Sequence, residues 1–154
     1  MINKNIKFNI VLYEPEIPQN TGNIARLCAC TGSDLYLVGK LGFSLNEKYV
    51  KRAGLDYWDS VNVFKVISIQ ELWTKFPESN FYYLTTKTKT PYYSCNFKNG
   101  DFLVFGPETR GLPEDLLNKF KTKNLNIPMK EGQRSLNLSN SVAIVLYEAL
   151  RQNL

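Results

Sequence analysis

The chain has 154 residues, 44% hydrophobic and 21% charged, an ordinary soluble balance and enough length for one domain, residues 1–154, with a real core. It contains no histidine, which removes Ser-His-Asp, Cys-His and zinc–histidine chemistry and leaves any general base to be found elsewhere. Nineteen Lys and Arg against fourteen Asp and Glu give a net charge of +5, which favours a polyanionic partner but fits a merely solvated basic surface as well.

The start, Met1-Ile2-Asn3-Lys4-Asn5-Ile6-Lys7, lacks the apolar core of a signal peptide. No apolar run approaches the ~20 residues that span a bilayer. The expectation is a cytoplasmic protein with no membrane partner. Phe8-Asn9-Ile10-Val11-Leu12-Tyr13 reads as a first buried strand. Pro15 and Pro18 then enforce a loop, and Asn20 or Thr21 is placed to cap a helix running through Thr31. Ile24, Leu27, Cys28 and Thr31 form one stripe of it, with Asn20, Asn23 and Arg26 on a different face. Cys28 and Cys30 point to different sides, and together with Cys95 are read as small buried residues. With no thiolate–carboxylate cluster, no metal site is expected.

Gly32 ends this helix and Leu35-Tyr36-Leu37-Val38 forms the next strand. Residues 44–56 read as irregular or helical, and Val61-Asn62-Val63-Phe64 as a strand. Ser68-Ile69-Gln70-Glu71 is a capping-box pattern opening a helix to about Phe76. Phe81-Tyr82-Tyr83-Leu84-Thr85 is a further strand, followed by a loop in which Lys87, Lys89 and Lys98 surround Tyr92 and Tyr93. Positive charge alternating with stacking-capable rings suits a single-stranded nucleic acid.

Phe102 to Phe105 reads as another strand, and it leads into Phe105-Gly106-Pro107-Glu108-Thr109-Arg110-Gly111-Leu112-Pro113, the most informative run of the chain. Two glycines and two prolines stop the strand abruptly and leave a rigid polar loop at its end. In open α/β sheets such strand ends hold ligands. Pro113 opens a helix to about Phe120, and Leu125-Asn126-Ile127 is a short last strand closed by Pro128. A polar loop leads to a final helix from about Leu138 to Gln152. Its Val142, Ala143, Ile144, Val145, Leu146, Ala149 and Leu150 nearly encircle it. It is either a central core helix or a subunit interface, and the interface is the favoured reading. Strand and helix alternate throughout, so the fold class is α/β with a mostly parallel sheet.

Three polar clusters each follow an apolar strand: Asn20-Thr21-Gly22-Asn23-Ile24-Ala25-Arg26, residues 106–111, and Ile127-Pro128-Met129 with Ser135-Leu136-Asn137-Leu138-Ser139-Asn140. Singly, each has an ordinary explanation as a cap, a surface charge or a turn. Together, at these separations, they resemble the three motifs of the SPOUT-superfamily RNA 2′-O-ribose methyltransferases. The opening residues 9–18 and the block Arg52-Ala53-Gly54-Leu55-Asp56-Tyr57 narrow the resemblance to the tRNA (cytidine/uridine-34)-2′-O-methyltransferase group. The likeness runs from about Asn9 to Arg151 and includes no added RNA-binding domain.

The resemblance implies an α/β knot, a parallel sheet whose C-terminal part forms a deep trefoil knot. It implies S-adenosyl-L-methionine as cofactor, with Leu84, Gly106, Ile127, Ser135 and Leu136 as contacts. Leu84, Ile127 and Leu136 are suited to wall an adenine ring, and glycine at 106 and 111 permits close approach. Arg26, Asn20, Ser135, Asn137 and Glu108 are the implied catalytic set. A guanidinium is a poor literal base, because it stays protonated and then has no acceptor. Arg26 is therefore read as a bidentate phosphate clamp, Asn20, Ser135 and Asn137 as groups orienting the ribose and Arg26, and Glu108 as a loop anchor accepting backbone hydrogen bonds. The implied partners are the anticodon loop of a tRNA and a second copy of the chain, packed through the last helix so that Arg26 faces the other subunit's cofactor. Arg134, Tyr147, Lys87 and Lys89 are candidates for RNA contact, with solvated or packing roles as the alternative.

Two competing readings are a non-catalytic RNA-binding protein on the same fold and a ribose methyltransferase acting on another RNA. A nucleotide-binding oxidoreductase would need a glycine-rich turn after the first strand, where this chain has Glu14-Pro15-Glu16-Ile17-Pro18.

Overall fold

The computed structural model describes residues 1–45 and 58–154. The Arg52-Ala53-Gly54-Leu55-Asp56-Tyr57 block, and most of the stretch read as irregular or helical at 44–56, lie outside the described residues.

The described strands are β1 (Asn9–Tyr13), β2 (Asp34–Val38), β3 (Val63–Val66), β4 (Phe81–Leu84), β5 (Phe102–Phe105) and β6 (Asn124–Leu125). They form one sheet in the order β3-β2-β1-β5-β4-β6, and every pairing is parallel. The described α-helices are α1 (Pro18–Thr31), α2 (Ile69–Lys75), α3 (Glu114–Lys119) and α4 (Leu138–Arg151). Successive strand side chains point to opposite faces, so two cores form. Ile10 and Leu12 of β1 join Leu103 and Phe105 of β5 under α1 and α4. Val11, Tyr36, Tyr83, Phe102 and Val104 face the other way, toward α2 and α3. Burial on both faces explains why these strands read as unbroken apolar runs rather than alternating ones.

The strand β1 is central, with β2 on one side and β5 on the other. The chain leaves β1 toward α1 on one face and leaves β5 toward α3 on the opposite face. The β1/β5 boundary is therefore a topological switch point, and a crevice opens between the two departing loops at the carboxyl ends of the strands.

Several local expectations shift. Neither Asn20 nor Thr21 caps α1, which begins earlier, at Pro18, with Ile17 in the cap position. Proline suits the first helical turn, where its missing N–H has no partner to lose. Ser68 does precede α2, but its side chain makes no capping bond, so the capping-box reading locates the helix without describing its start. The strand expected at 61–64 runs from Val63 to Val66; just before it, the Asn62 side chain donates to Asp34 Oδ1 at 2.9 Å and its carbonyl accepts the Leu35 N–H at 2.9 Å. Ile127 lies beyond β6, which ends at Leu125. Of the three cysteines only Cys28 is buried, while Cys95 is intermediate and Cys30 exposed. Along α1 the buried positions are Asn20, Thr21, Gly22, Ile24, Ala25, Cys28 and Thr31, so Ala25 joins the stripe and Leu27 sits at its margin.

Most of the apolar girdle of α4 is satisfied within the chain. Val142, Val145, Leu146, Ala149 and Leu150 are all buried against α1 and the sheet. The end of α4 is also tied down: Gln152 Oε1 accepts the Phe97 N–H at 2.8 Å, and Asn153 Nδ2 donates to the Phe97 carbonyl at 3.0 Å. Only a narrow outer strip remains, where Ala143 and Ile144 are half-buried and Tyr147 is 51% exposed.

Candidate active site

The switch-point crevice widens into a cleft of about 670 Å³, within the range of small-molecule sites. Three segments wall it: residues 84–87 from the end of β4, 105–112 from the end of β5, and 127–141 from beyond β6 into the first turn of α4. Ile17 and Asn20, at the start of α1, close a fourth side. The sequence-derived candidates Leu84, Gly106, Ile127, Ser135 and Leu136 all line this cleft, as do Asn20, Glu108, Asn137, Lys87 and Arg134.

Arg26, Lys89 and Tyr147 are not part of its lining. For Arg26 the reason is helical geometry. Residues three apart on an α-helix fall about 60° short of a full turn, so the steps from Asn20 to Asn23 to Arg26 drift around the axis. Asn20 is buried, whereas Asn23 and Arg26 are exposed, and the three do not share one face. Lys89 sits exposed in the loop after β4, and Tyr147 lies on the outer strip of α4. Lys87 reaches Glu114 Oε1 at 3.2 Å, an exposed pair that holds little energy.

Gly106 explains the shape of the second loop. A Cβ built there would lie 2.4 Å from Leu112 N and 2.5 Å from the Gly111 carbonyl carbon. The loop folds back onto its own first residue, and only glycine leaves room. Gly111 takes φ +69°, a left-handed conformation that glycine adopts without strain; its N–H bonds the Pro107 carbonyl at 3.0 Å and closes the turn.

Glu108 reaches across the crevice. Its carboxylate accepts the Glu16 N–H at 2.8 Å and the Ile17 N–H at 3.3 Å. The anchoring role is thus directed at the loop before α1 rather than at its own loop. The reverse contact was not foreseen: Glu16 Oε1 accepts the Thr109 N–H at 3.0 Å and the Thr109 hydroxyl at 2.8 Å. These bonds hold the Glu16 carboxyl below the usual carboxylate range, with the Thr109 N–H the largest cause. This contribution is full above the ordinary carboxylate pKa and fades as pH falls through the depressed value. The only sequence signal for Glu16 was its place between two prolines, which pin its backbone.

Asn20 and Asn137 meet although 117 positions apart, Asn137 Nδ2 donating to Asn20 Oδ1 at 3.1 Å. Asn137 Oδ1 accepts the Asn140 N–H at 3.2 Å and the Ser139 hydroxyl at 2.6 Å. One side chain therefore caps α4 and holds α1 beside it. Asn137→Ala is expected to lower unfolding free energy by about 1 kcal/mol through the lost cap, while Asn137→Asp keeps that acceptor; denaturant unfolding of both variants checks this.

Burial raises the Cys28 thiol well above its ordinary value and pushes Cys95 up to about 11, so neither presents a thiolate near neutrality. Among the described residues no group of three or more Cys, Asp or Glu could hold a metal ion, and no helix is long and apolar enough to cross a membrane.

A family model for the SpoU rRNA methylases matches residues 7–147. The chain belongs to the SpoU methylase family. Among its relatives, the tRNA (cytidine(34)-2′-O)-methyltransferase of Methylovorus glucosotrophus (strain SIP3-4) is 50% identical over 151 residues, covering 95% of this chain and 96% of its own. The enzyme of the same name from Escherichia coli (strain K12) is 45% identical over 145 residues, covering 94% and 92%. A solved structure that addresses 2-OH methylation of C/U34 on tRNA superposes with a TM-score of 0.91 at 42% identity, covering 97% of each chain. In this SpoU methylase the cleft therefore lies on a scaffold shared over nearly the whole length.

Proposed function

We propose that the protein transfers a methyl group from S-adenosylmethionine to the ribose 2′-hydroxyl of the wobble nucleotide, C34 or U34, of tRNA in the cytoplasm. The observation that carries this reading is the convergence of Asn20, Gly106, Glu108, Ile127, Ser135, Leu136 and Asn137 on one cleft. Relatives named for this reaction, 45–50% identical over almost the full chain, support it.

The cleft fits the methyl donor. Leu84, Phe105, Ile127, Leu136 and Leu138 provide apolar surface, and Leu136 leaves 39% of its area exposed, an uncovered hydrophobic group waiting for a flat partner. Residues 106, 127, 135 and 136 belong to no helix or strand, so their backbone N–H and C=O groups are available to an adenine edge. When bound, S-adenosylmethionine supplies an electrophilic methyl on a sulfonium whose departure leaves a neutral sulfide.

The chain's own residues then have two tasks, alignment and proton removal. Arg26 holds the RNA phosphate with its planar fork and keeps the 2′-oxygen in line. The 2′-hydroxyl proton passes to a phosphate oxygen or water, since the protonated guanidinium has no acceptor. Asn137 is committed to Asn20 and to the α4 cap, so it orients Asn20, which with Ser135 faces the ribose. Arg26 lies outside its own protomer's cleft and so serves the cleft of a second copy, packed along the Ile144 and Tyr147 strip of α4. Arg134 and Lys87 at the rim attract the anticodon loop, with Lys89 and Tyr147 further out. A deep trefoil knot belongs to the same reading. It is supported by the residues before α4 lining the cleft while the end of α4 bonds into the β4–β5 loop.

The test is nucleoside mass spectrometry of tRNA incubated with purified protein and S-adenosylmethionine, with calorimetry of the methyl donor alongside. One ribose methyl at position 34 is the expected product. A methyl elsewhere would overturn the wobble assignment, and failure to bind the donor would leave the non-catalytic RNA-binding reading.

A further inference from the structure

Glu16, in the opening 9–18 run, and Thr109, inside the 106–111 cluster, are not among the candidate site residues of the sequence, yet they complete a reciprocal contact at the switch point. Each of the two loops that flank the crevice sends a carboxylate to the other's backbone. Glu108 takes the Glu16 and Ile17 N–H groups. Glu16 takes the Thr109 N–H, and the Thr109 hydroxyl lies 2.8 and 3.0 Å from its two oxygens. The pairing resembles a capping box, in which two chain segments satisfy each other's orphan donors, but its halves are more than 90 residues apart. Arg110 Nη2 adds a long contact of 3.6 Å to Glu14 Oε2 on the same two loops.

We propose that Glu16 and Thr109 are positioning residues for methyl transfer: they lock the start of α1, which carries Asn20, against the 106–111 loop, which walls the methyl-donor cleft. This rests on the functional reading above. The ladder between β1 and β5 ends at Leu12 and Phe105. Beyond it, the hydrogen bonds described between the two departing loops are those of Glu16 and Glu108 with their partners. Gly42 packs against the same turn from outside: its N–H bonds the Pro15 carbonyl at 2.9 Å, and a Cβ there would lie 2.9 Å from Glu16 Cα. The Glu16 backbone is thus backed by one loop while its side chain grips another. A slip between α1 and the 106–111 loop would leave both ligands able to bind but would misplace Asn20, and the ribose it faces, relative to the methyl donor.

Such a fault falls on turnover rather than binding, since small misalignments of reacting groups cost up to about 100-fold in rate. For Glu16→Gln and Thr109→Val the expected result is a fall in kcat of roughly 10- to 100-fold, with KM for tRNA and Kd for S-adenosylmethionine within about threefold of wild type. Thr109→Ser keeps the hydroxyl and is expected to recover most of the turnover. The double variant Glu16→Gln/Thr109→Val should be no slower than the slower single one, because both break the same contact. Melting temperatures taken on the same samples separate misfolding from misalignment. Wild-type kcat in both single variants would overturn the proposal, as would a loss confined to binding or additive losses in the double variant. If the wild-type protein itself methylates no tRNA at position 34, the functional reading falls first and this inference with it.

Discussion

Arg26→Lys is expected to lower kcat for tRNA methylation by about 100-fold, or about 2.7 kcal/mol of transition-state stabilisation. Charge is conserved in this variant, so general attraction to RNA survives. What is lost is the planar fork that grips two phosphate oxygens at once and fixes the 2′-oxygen in line. Arg26→Ala should be slower still and should bind tRNA more weakly, because the charge goes as well. Single-turnover rates at saturating tRNA separate the two effects. Turnover of the lysine variant within about threefold of wild type would exclude bidentate clamping and leave a point-charge role. Because Arg26 lies outside its own cleft, a second measurement follows. Mixing an Arg26→Ala protein with one disabled at Gly106 should restore activity if two copies exchange arginines, since one of the two mixed sites then has both parts intact.

Gly106→Ala is expected to abolish productive donor binding, raising Kd at least about tenfold, and to cost about 1–3 kcal/mol of stability. The added methyl would sit inside contact distance of backbone, 2.4 Å from Leu112 N, and backbone cannot rotate away as a side chain can. The loop must open, which moves Pro107 and Glu108 and slackens the grip on the Glu16 and Ile17 N–H groups. Gly111→Ala is the control. Its Cβ meets nothing within 4 Å, so it costs only the left-handed backbone penalty of about 1–2 kcal/mol. Calorimetry with S-adenosylmethionine and denaturant unfolding of both variants distinguish the two. Equal effects at 106 and 111 would mean that backbone strain, not the fold-back of the loop, makes glycine necessary.

The strands that build the two cores were legible because burial on both faces requires unbroken apolar runs, and Phe102-Leu103-Val104-Phe105 matches β5 residue for residue. The loop after it was equally plain, since glycine and proline at that density permit nothing regular. The start of α1 was misjudged because two valid local signals compete there. Asn20 is a good cap by residue type, but Pro18 is a better first helical residue, and burial of Asn20 against α4 settles the choice. The helix α4 was misjudged in degree: its pattern shows how much apolar surface must be covered but not which surface covers it. The sheet and α1 cover most of it within the chain.

Local physics alone determined the alternating α/β plan, the strand-end loops, and the absence of histidine, which leaves any proton acceptor to be another group. These follow from periodicity, turn chemistry and residue inventory, all of which act between near neighbours. Tertiary structure decided the Asn20–Asn137 pair, the crossed grip of Glu16 and Glu108, and the exclusion of Arg26 from its own cleft. Those depend on which strands lie side by side and on where a helix has rotated by its second turn. Contacts between residues 92 or 117 positions apart leave no mark on local pattern, because they exist only once β1 and β5 have paired.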